Sequence, residues 1–242
     1  MLRNLTTLYG YKLAASDGDI GRVKDFYFDD KTWVIRYLVA DTGSWLPGRL
    51  VLLAPHAFGR FDEVDGKVML INLTRQQIEN SPSIESHKPV SRQYEVEYYR
   101  YYGWPAYWNG GAMWGLGGYP VVLPPSRDEL EAHQQYHHRD DRHLRSVRAI
   151  SRYDISTVDG TIGHVSGLIV DDRSWAIHKL AVETGHWYSG KEILITPDKI
   201  ERIGYEESKV FVNLTKEDIQ QTSDSEVVKA GSGIGRAENF RD

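Results

Sequence analysis

Short apolar stretches alternate with polar residues and turn signals along the first third of the chain. Between Gly21 and Asp29, the apolar residues Val23, Phe26 and Phe28 stand among charged ones. Residues 33–40 are rich in β-branched and aromatic side chains. Both patterns favour β-strands. Residues 50–53 and 67–73 predict two further strands of the same kind.

Turn residues separate these stretches. Asp17-Gly18 and Asp65-Gly66 are turn pairs, because glycine adopts a positive φ without steric cost. Pro55 ends the strand before it. Residues 74–78 predict a short helix, with Thr74 as its N-cap.

The pattern of the first third recurs in the last third of the chain. Asp17-Gly18 returns as Asp159-Gly160, and the following matches keep the same spacing up to a single-residue deletion. An internal repeat of this kind indicates two copies of one structural unit. The matched positions include Gly21 and Gly163, Asp29-Asp30 and Asp171-Asp172, Trp33 and Trp175, Trp45 and Trp187, and Pro55 and Pro197.

Each copy contains five or six short strands, too few for a two-sheet sandwich of ordinary size. A small closed or partly closed barrel is the natural way to remove exposed sheet edges. We therefore predict an all-β chain with two small β-barrels in tandem, each ending in a short helix. The predicted boundaries are barrel 1 at 1–82, a linker at 83–145, barrel 2 at 146–223 and a polar tail at 224–242.

These motifs resemble the PRC-barrel domain family. The resemblance rests on Asp-Gly-x-Ile-Gly-x-Val, an acidic pair before a Trp-led strand, and an apolar strand that ends in proline. It covers roughly residues 5–82 and 146–223. The family is named for the photosynthetic reaction-centre H subunit and includes the C-terminal domain of a ribosome-maturation factor. The resemblance implies a docking module that acts through protein or RNA contacts, without chemistry of its own.

Composition narrows the function classes. The formal net charge of -5 argues against broad, sequence-independent binding to nucleic acid. The chain has no cysteine, which excludes disulfides, thiolate metal sites and cysteine catalysis. The first residues lack the basic segment and long apolar run of a signal peptide, so we expect a cytoplasmic protein.

The predicted linker has a composition of its own. Residues 101–126 carry no charge but contain many glycines and prolines, so we predict no transmembrane helix there. Trp104, Trp108 and Trp114 either fold back over apolar barrel surface or form an exposed patch for a partner or a membrane. Ser126 and Glu129 have capping-box spacing, which predicts a polar helix from Arg127 to Leu144.

Histidines within this polar helix are the candidate metal ligands. His133 and His137 would share one helical face, with His138 beside them. Gln134 stands where the metalloprotease pattern has a glutamate, and a solvated helix explains the cluster better than a metal site. We therefore predict no bound metal and no cofactor. The acidic pairs lie at predicted turns, where aspartate is favoured for its local hydrogen bonds.

Trp45 and Trp187 occupy equivalent glycine-flanked loops, where they either pack against the barrels or stack on a ligand. With Trp104, Trp108 and Trp114, they are the candidate partner-binding residues. The sequence favours a non-enzymatic adaptor that binds a protein partner, with the two barrels packed as an intramolecular pseudo-dimer. Two alternatives stay open. One is a ribosome- or RNA-associated factor, and the other is a stress-related protein that uses the aromatic linker at a membrane surface.

Overall fold

The computed structural model describes residues 1–62, 67–82, 92–106, 144–185 and 190–221, and it describes residues 92–94 through their backbone alone. The chain divides into two compact units. The first comprises Met1–Arg148 together with Val170–Ile177, and the second comprises Ala149–Ile169 with His178–Asp242. This division differs from the boundaries expected from the repeat, because residues 170–177 join the first unit.

The first unit contains a mainly antiparallel sheet. Along the sheet the strands follow the order β5-β4-β3-β2-β7-β6, and β2 and β7 are its parallel pair. A further strand, β8, pairs with β3. The strands of this sheet are β2 (Lys12–Ala15), β3 (Gly18–Asp29), β4 (Val34–Asp41), β5 (Leu50–Leu53), β6 (Phe58–Asp62), β7 (Val68–Ile71) and β8 (Leu144–Ser146). The strand β1 (Leu2–Asn4) precedes them in the chain and is not part of this sheet.

The remaining strands form a second sheet with the matching order β12-β11-β10-β9-β14-β13. Its parallel pair, β9 and β14, corresponds to β2 and β7. The prediction of a mostly β chain is therefore confirmed. The strands are β9 (Asp154–Thr157), β10 (Gly160–Asp171), β11 (Ile177–Thr184), β12 (Glu192–Ile195), β13 (Ile200–Gly204) and β14 (Lys209–Val212).

The sequence predicted closed or partly closed barrels, and in the described residues neither sheet closes into a barrel. The path of the first sheet ends at β5 and β6, which do not pair with each other there, and the second sheet ends in the same way at β12 and β13. Short or irregular strands are a common way to protect a sheet edge without closing it. In the first sheet, β5 has four residues and the pairing of β6 with β7 is interrupted by a register shift.

A short helix follows each sheet. Helix α1 (Arg75–Glu79) begins at Thr74 with a full capping box, in which Thr74 and Gln77 bond to each other's backbone. This confirms the predicted N-cap. Residues 216–221 are helical after β14. The predicted polar helix lies outside the described residues except for its last position. Leu144 begins β8, so the helix does not extend that far.

Helix α2 (Arg92–Tyr102) was not predicted and lies in the segment expected to be a linker. It covers one face of β4 and β5. Tyr98 and Tyr99 of the helix form a buried cluster with Tyr37, Val39 and Leu52 of the strands. Because both of its faces are covered, every residue of β4 from Val34 to Ala40 is buried. The buried carboxylate of Glu95 accepts a hydrogen bond of 2.7 Å from the Tyr37 hydroxyl.

Tyr98 also completes the hydrogen bonding at the edge strand β5. Its hydroxyl donates to the carbonyl oxygen of Leu52 at 2.9 Å and accepts from the amide of Ala54 at 3.0 Å. Both interactions are buried. A buried backbone group that lacks a hydrogen-bond partner destabilises the fold. The Tyr98 side chain therefore supplies the partners that a neighbouring strand would otherwise supply at this edge.

Glycine is required where β3 passes the end of β4. Gly21 has a φ of +131°, and a Cβ atom there would overlap the carbonyl oxygen of Asp41. Gly163 stands in the same relation to the carbonyl oxygen of Glu183, with a φ of +157°. Both constraints are backbone contacts, which explains why this glycine recurs in the two copies.

We expect Gly21→Ala to destabilise the first unit by about 3 kcal/mol, since the added methyl group forces two backbone segments apart. Gly43→Ala is the matched control. Gly43 also has a positive φ, but no atom lies within 4 Å of the position of its Cβ, so its cost should be about 1 kcal/mol. Urea unfolding followed by tryptophan fluorescence measures both. Equal losses would contradict the close-contact explanation.

Tyr98→Phe should destabilise the protein by about 2 kcal/mol, because it leaves the Leu52 carbonyl and the Ala54 amide without their buried partner. Tyr101→Phe serves as the control. Its hydroxyl also bonds to a backbone carbonyl, that of Gln77, but the contact is exposed, so water can replace it. Thermal unfolding of the two variants should separate them clearly, and an unchanged Tyr98→Phe variant would show that β5 needs no such partner.

Candidate functional site

Two of the candidate site residues, Trp45 and Trp104, lie in the described part of the chain. The others, Trp108, Trp114, Trp187, His133, His137 and His138, lie outside the described residues. Trp45 and Trp104 turn out to have different environments. One lines an open groove, and the other packs into the aromatic cluster beneath α2.

Trp104 ends helix α2 in a Schellman motif. Its amide bonds to the carbonyl of Tyr99 at 3.0 Å, and the amide of Gly103 bonds to that of Arg100 at 3.2 Å. The indole stacks on Tyr102, with ring centroids 4.5 Å apart, and on His56 at 5.3 Å. The sequence left two alternatives for the linker tryptophans, which were to fold back over apolar surface or to form an exposed patch. Trp104 follows the first.

Trp45 lies in the loop between β4 and β5, which is held by one buried threonine. The hydroxyl of Thr42 is 2.7 Å from the carbonyl oxygen of Leu46 and 2.8 Å from that of Arg49, so it spans the loop. The half-buried indole of Trp45 lies against the guanidinium of Arg75, with 4.8 Å between that group and the ring centre. A cation–π contact of this kind orients the ring.

An open groove of about 630 Å³ runs between this loop and the hairpin of β2 and β3. All its lining residues belong to the first unit. Trp45 and Tyr9 supply aromatic surface. Four basic side chains face two acidic ones, which gives the lining a net charge of +2. The basic residues are Lys12, Arg22, Lys24 and Arg148, and the acidic ones are Asp19 and Asp41.

Asp25 of β3 links the groove to β8 and to the residues that follow it. Its carboxylate accepts hydrogen bonds from the Ser146 hydroxyl at 2.5 Å and from the Arg148 amide at 3.0 Å. Burial nevertheless raises the pKa of Asp25 above its usual value. Burial also raises the pKa of the neighbouring Tyr9, and the Asp25 charge adds to that shift. The guanidinium of Arg148 lies 5.3 Å from the centre of the Tyr9 ring. Arg148 is therefore held at the groove wall by its backbone amide, which bonds to Asp25, and by the contact of its guanidinium with Tyr9.

Two like charges face each other across the strands that form the groove. Lys12 on β2 is paired directly with Arg22 on β3, so their side chains share one face of the sheet. Arg22 donates a hydrogen bond to the Gly10 carbonyl at 2.9 Å. Lys12 is exposed and makes no ion pair within the described ranges. Like charges in this position are unfavourable for stability. Asp41 on β4 is paired with Arg22 from the other side and offsets part of this repulsion.

The acidic pairs have structural roles in the first unit. The carboxylate of Asp29 accepts hydrogen bonds from the amides of Lys31 and Thr32, as expected for a turn position. Asp30 forms an ion pair of 2.9 Å with Arg145. Asp172 forms the corresponding pair of 2.8 Å with Arg3. The carboxylates therefore complete turns and join strands.

Within the ranges that the structure describes, no three histidine or acidic side chains are grouped to hold a metal ion. None of the helices in those ranges combines the length and the apolar character needed to cross a membrane. The lining of the groove combines basic, acidic and aromatic side chains. It offers cations, carboxylates and aromatic rings for noncovalent binding.

Lys12→Asp should stabilise the protein by about 0.5 kcal/mol at low ionic strength, because it replaces a repulsive cross-strand pair with an attractive one. Asp154 already occupies the equivalent position in the second copy, opposite His164, so the strand tolerates the residue. Urea unfolding at low salt and in 1 M NaCl tests the effect. The gain should largely disappear in high salt, and a loss of stability at low salt would contradict the repulsion argument.

Comparison with known proteins finds a domain-family match for part of the first unit. No curated protein matches the chain. The matching family model begins within β1 and ends within α1, and so includes the β2, β3 and β4 strands that form the groove. Residues 3–77 of the chain match the PRC-barrel domain.

Proposed function

We propose that this chain is a non-enzymatic docking protein that binds a protein partner through the groove of its first unit. The observation that carries the proposal is the direct cross-strand pair of Lys12 and Arg22, which lies beside Trp45 on an open surface whose lining has a net charge of +2. A residue arrangement that costs stability is most readily explained by a ligand that relieves it. An aromatic ring beside cationic groups is a common composition for a protein-binding surface.

The family match supports the same proposal. The PRC-barrel domain suggests a non-catalytic family, and the matched residues 3–77 contain most of the groove. The rigidity of the groove walls also favours the binding of a partner. Its walls are a hydrogen-bonded hairpin and a loop fixed by Thr42, so little conformational freedom would be lost on binding.

RNA is the second candidate partner. The four basic side chains of the groove favour phosphate contacts, and Trp45 offers a ring on which a base can stack. Asp19 and Asp41 oppose this function, because their carboxylates repel phosphates at the same surface. The side chain of Asp41 is 54% exposed, so a bound strand would meet its charge. We therefore place the protein partner first and test for RNA alongside it.

We expect Trp45→Ala to abolish capture of the partner, because it removes the main aromatic contact of the groove. The tagged full-length chain and the variant are used to capture partners from the native cell extract at low and then high salt, and protein and RNA are both identified. Tyr101→Ala is the control, since Tyr101 is an exposed aromatic residue on α2 that does not line the groove.

A discrete protein retained by the wild-type chain and the control, but lost from Trp45→Ala, supports docking through the groove. RNA lost in the same way would move the proposal to the second candidate. A partner that binds all three chains equally would overturn the groove as the docking site. Circular dichroism and thermal unfolding confirm that the variants compared are folded.

A further inference from the structure

The two copies of the repeat differ in charge at three of the positions that form the groove. Lys12, Arg22 and Lys24 of the first copy correspond to Asp154, His164 and Ser166 of the second. The backbone register is the same in both, since Lys12 pairs with Arg22 and Asp154 pairs with His164. The difference therefore lies in the side chains, while the strands that carry them are retained.

The surrounding contacts of these residues differ as well. In the second copy, His164 lies 3.6 Å from the carboxylate of Glu183, and Ser166 donates to Glu192 at 3.3 Å. The polar groups there satisfy one another. In the first copy, Lys24 is 3.9 Å from Asp41, with both side chains about half exposed, and Lys12 has no ion pair in the described ranges. In the described residues, Lys12 therefore leaves a positive charge available to a ligand, where the second copy has the acidic Asp154.

We propose that the groove of the first unit selects an acidic protein segment, and that this selectivity comes from Lys12, Arg22 and Lys24. The inference rests on the proposed docking function and names its partner by chemistry. Carboxylates on the partner would offset the repulsion between Lys12 and Arg22. The relief of this repulsion would contribute to the free energy of binding. Trp45 provides the adjacent surface for an apolar or aromatic side chain of the same segment.

Acidic protein is favoured over nucleic acid by the groove's own carboxylates. Asp19 and Asp41 stand among the cations, and a polyphosphate backbone with a regular charge spacing would approach both. A peptide can place glutamate beside the cations and an uncharged residue beside Asp41. The overall charge of -5 further disfavours a nucleic-acid strand that extends beyond the groove.

The test exchanges the three cations for the residues of the second copy, as Lys12→Asp, Arg22→His and Lys24→Ser in one full-length chain. Because the equivalent strands already carry these residues, the variant is expected to fold. The control is Lys191→Asp with Lys216→Asp, which makes the same change in formal charge within the second unit. Unfolding curves verify that both chains are folded.

The probes are three labelled ligands measured by fluorescence anisotropy. One is a twelve-residue peptide of glutamate with interspersed tyrosine, the second has lysine in place of each glutamate, and the third is a twelve-nucleotide uridine strand. The wild-type chain and the control should bind the glutamate peptide at least tenfold more tightly than the exchanged chain does. That binding should weaken between 50 and 500 mM NaCl, and the lysine peptide should bind at least tenfold more weakly.

Several outcomes would overturn the inference. They are equal binding of the glutamate peptide by the wild-type and exchanged chains, no binding of it by the wild type, and tighter binding of the uridine strand. Capture of the native partner separates this failure from that of the docking proposal. If Trp45→Ala loses the partner and the exchanged chain keeps it, the groove is the docking site without acidic selectivity. If neither change affects capture, the docking proposal itself is wrong.

Discussion

The close approach of Gly21 to the backbone of Asp41 and Thr42 is the contact on which the first unit depends. At this point β3 leaves its pairing with β4 while it still pairs with β2, so the two walls of the groove diverge from one residue. Thr42 then anchors the loop that carries Trp45. A side chain at Gly21 would push the β4 end away and would displace the loop with it. The absence of a Cβ atom at Gly21 is thus needed both for the fold and for the shape of the candidate site.

Much of the fold could be predicted from local patterns, because strands, turns and helix caps each favour particular residues at neighbouring positions. The alternation along β3, the Asp17-Gly18 turn and the Thr74 cap are of this kind. Helix α2 could not be predicted in that way. Its tyrosines alternate with charges, and their burial depends on Tyr37 and Leu52, which are distant in the sequence. The groove was missed for the same reason, since Lys12 and Arg22 become neighbours only through strand pairing. A comparison of charges between the two copies would have singled out these positions.

The two copies illustrate how one backbone pattern accommodates different surroundings. Tyr37 and Leu52, buried under α2, correspond to Lys179 and Leu194 in the second copy. Leu194 is 38% exposed, whereas Leu52 is almost fully buried. The face of the first sheet that α2 covers is therefore aromatic and buried. The equivalent face of β11 and β12 in the second sheet is more polar and more exposed. Strand order and the glycine contact are common to both, while the faces of the sheet and the groove charges have diverged. Differences of this kind allow two copies of one fold to take on separate tasks.

The covering helix also sets the limits of what can exist as an independent piece of this protein. The family match ends at residue 77, yet the face of β4 and β5 is completed by side chains that follow residue 92. A fragment cut after residue 82 would place Tyr37 and Val39 in water and would leave the backbone of Leu52 and Ala54 open at a sheet edge. An apolar face beside an unpaired edge is a template for self-association. We therefore expect a piece of the first unit that resists self-association to extend beyond residue 82 and to include the tyrosine-rich helix α2.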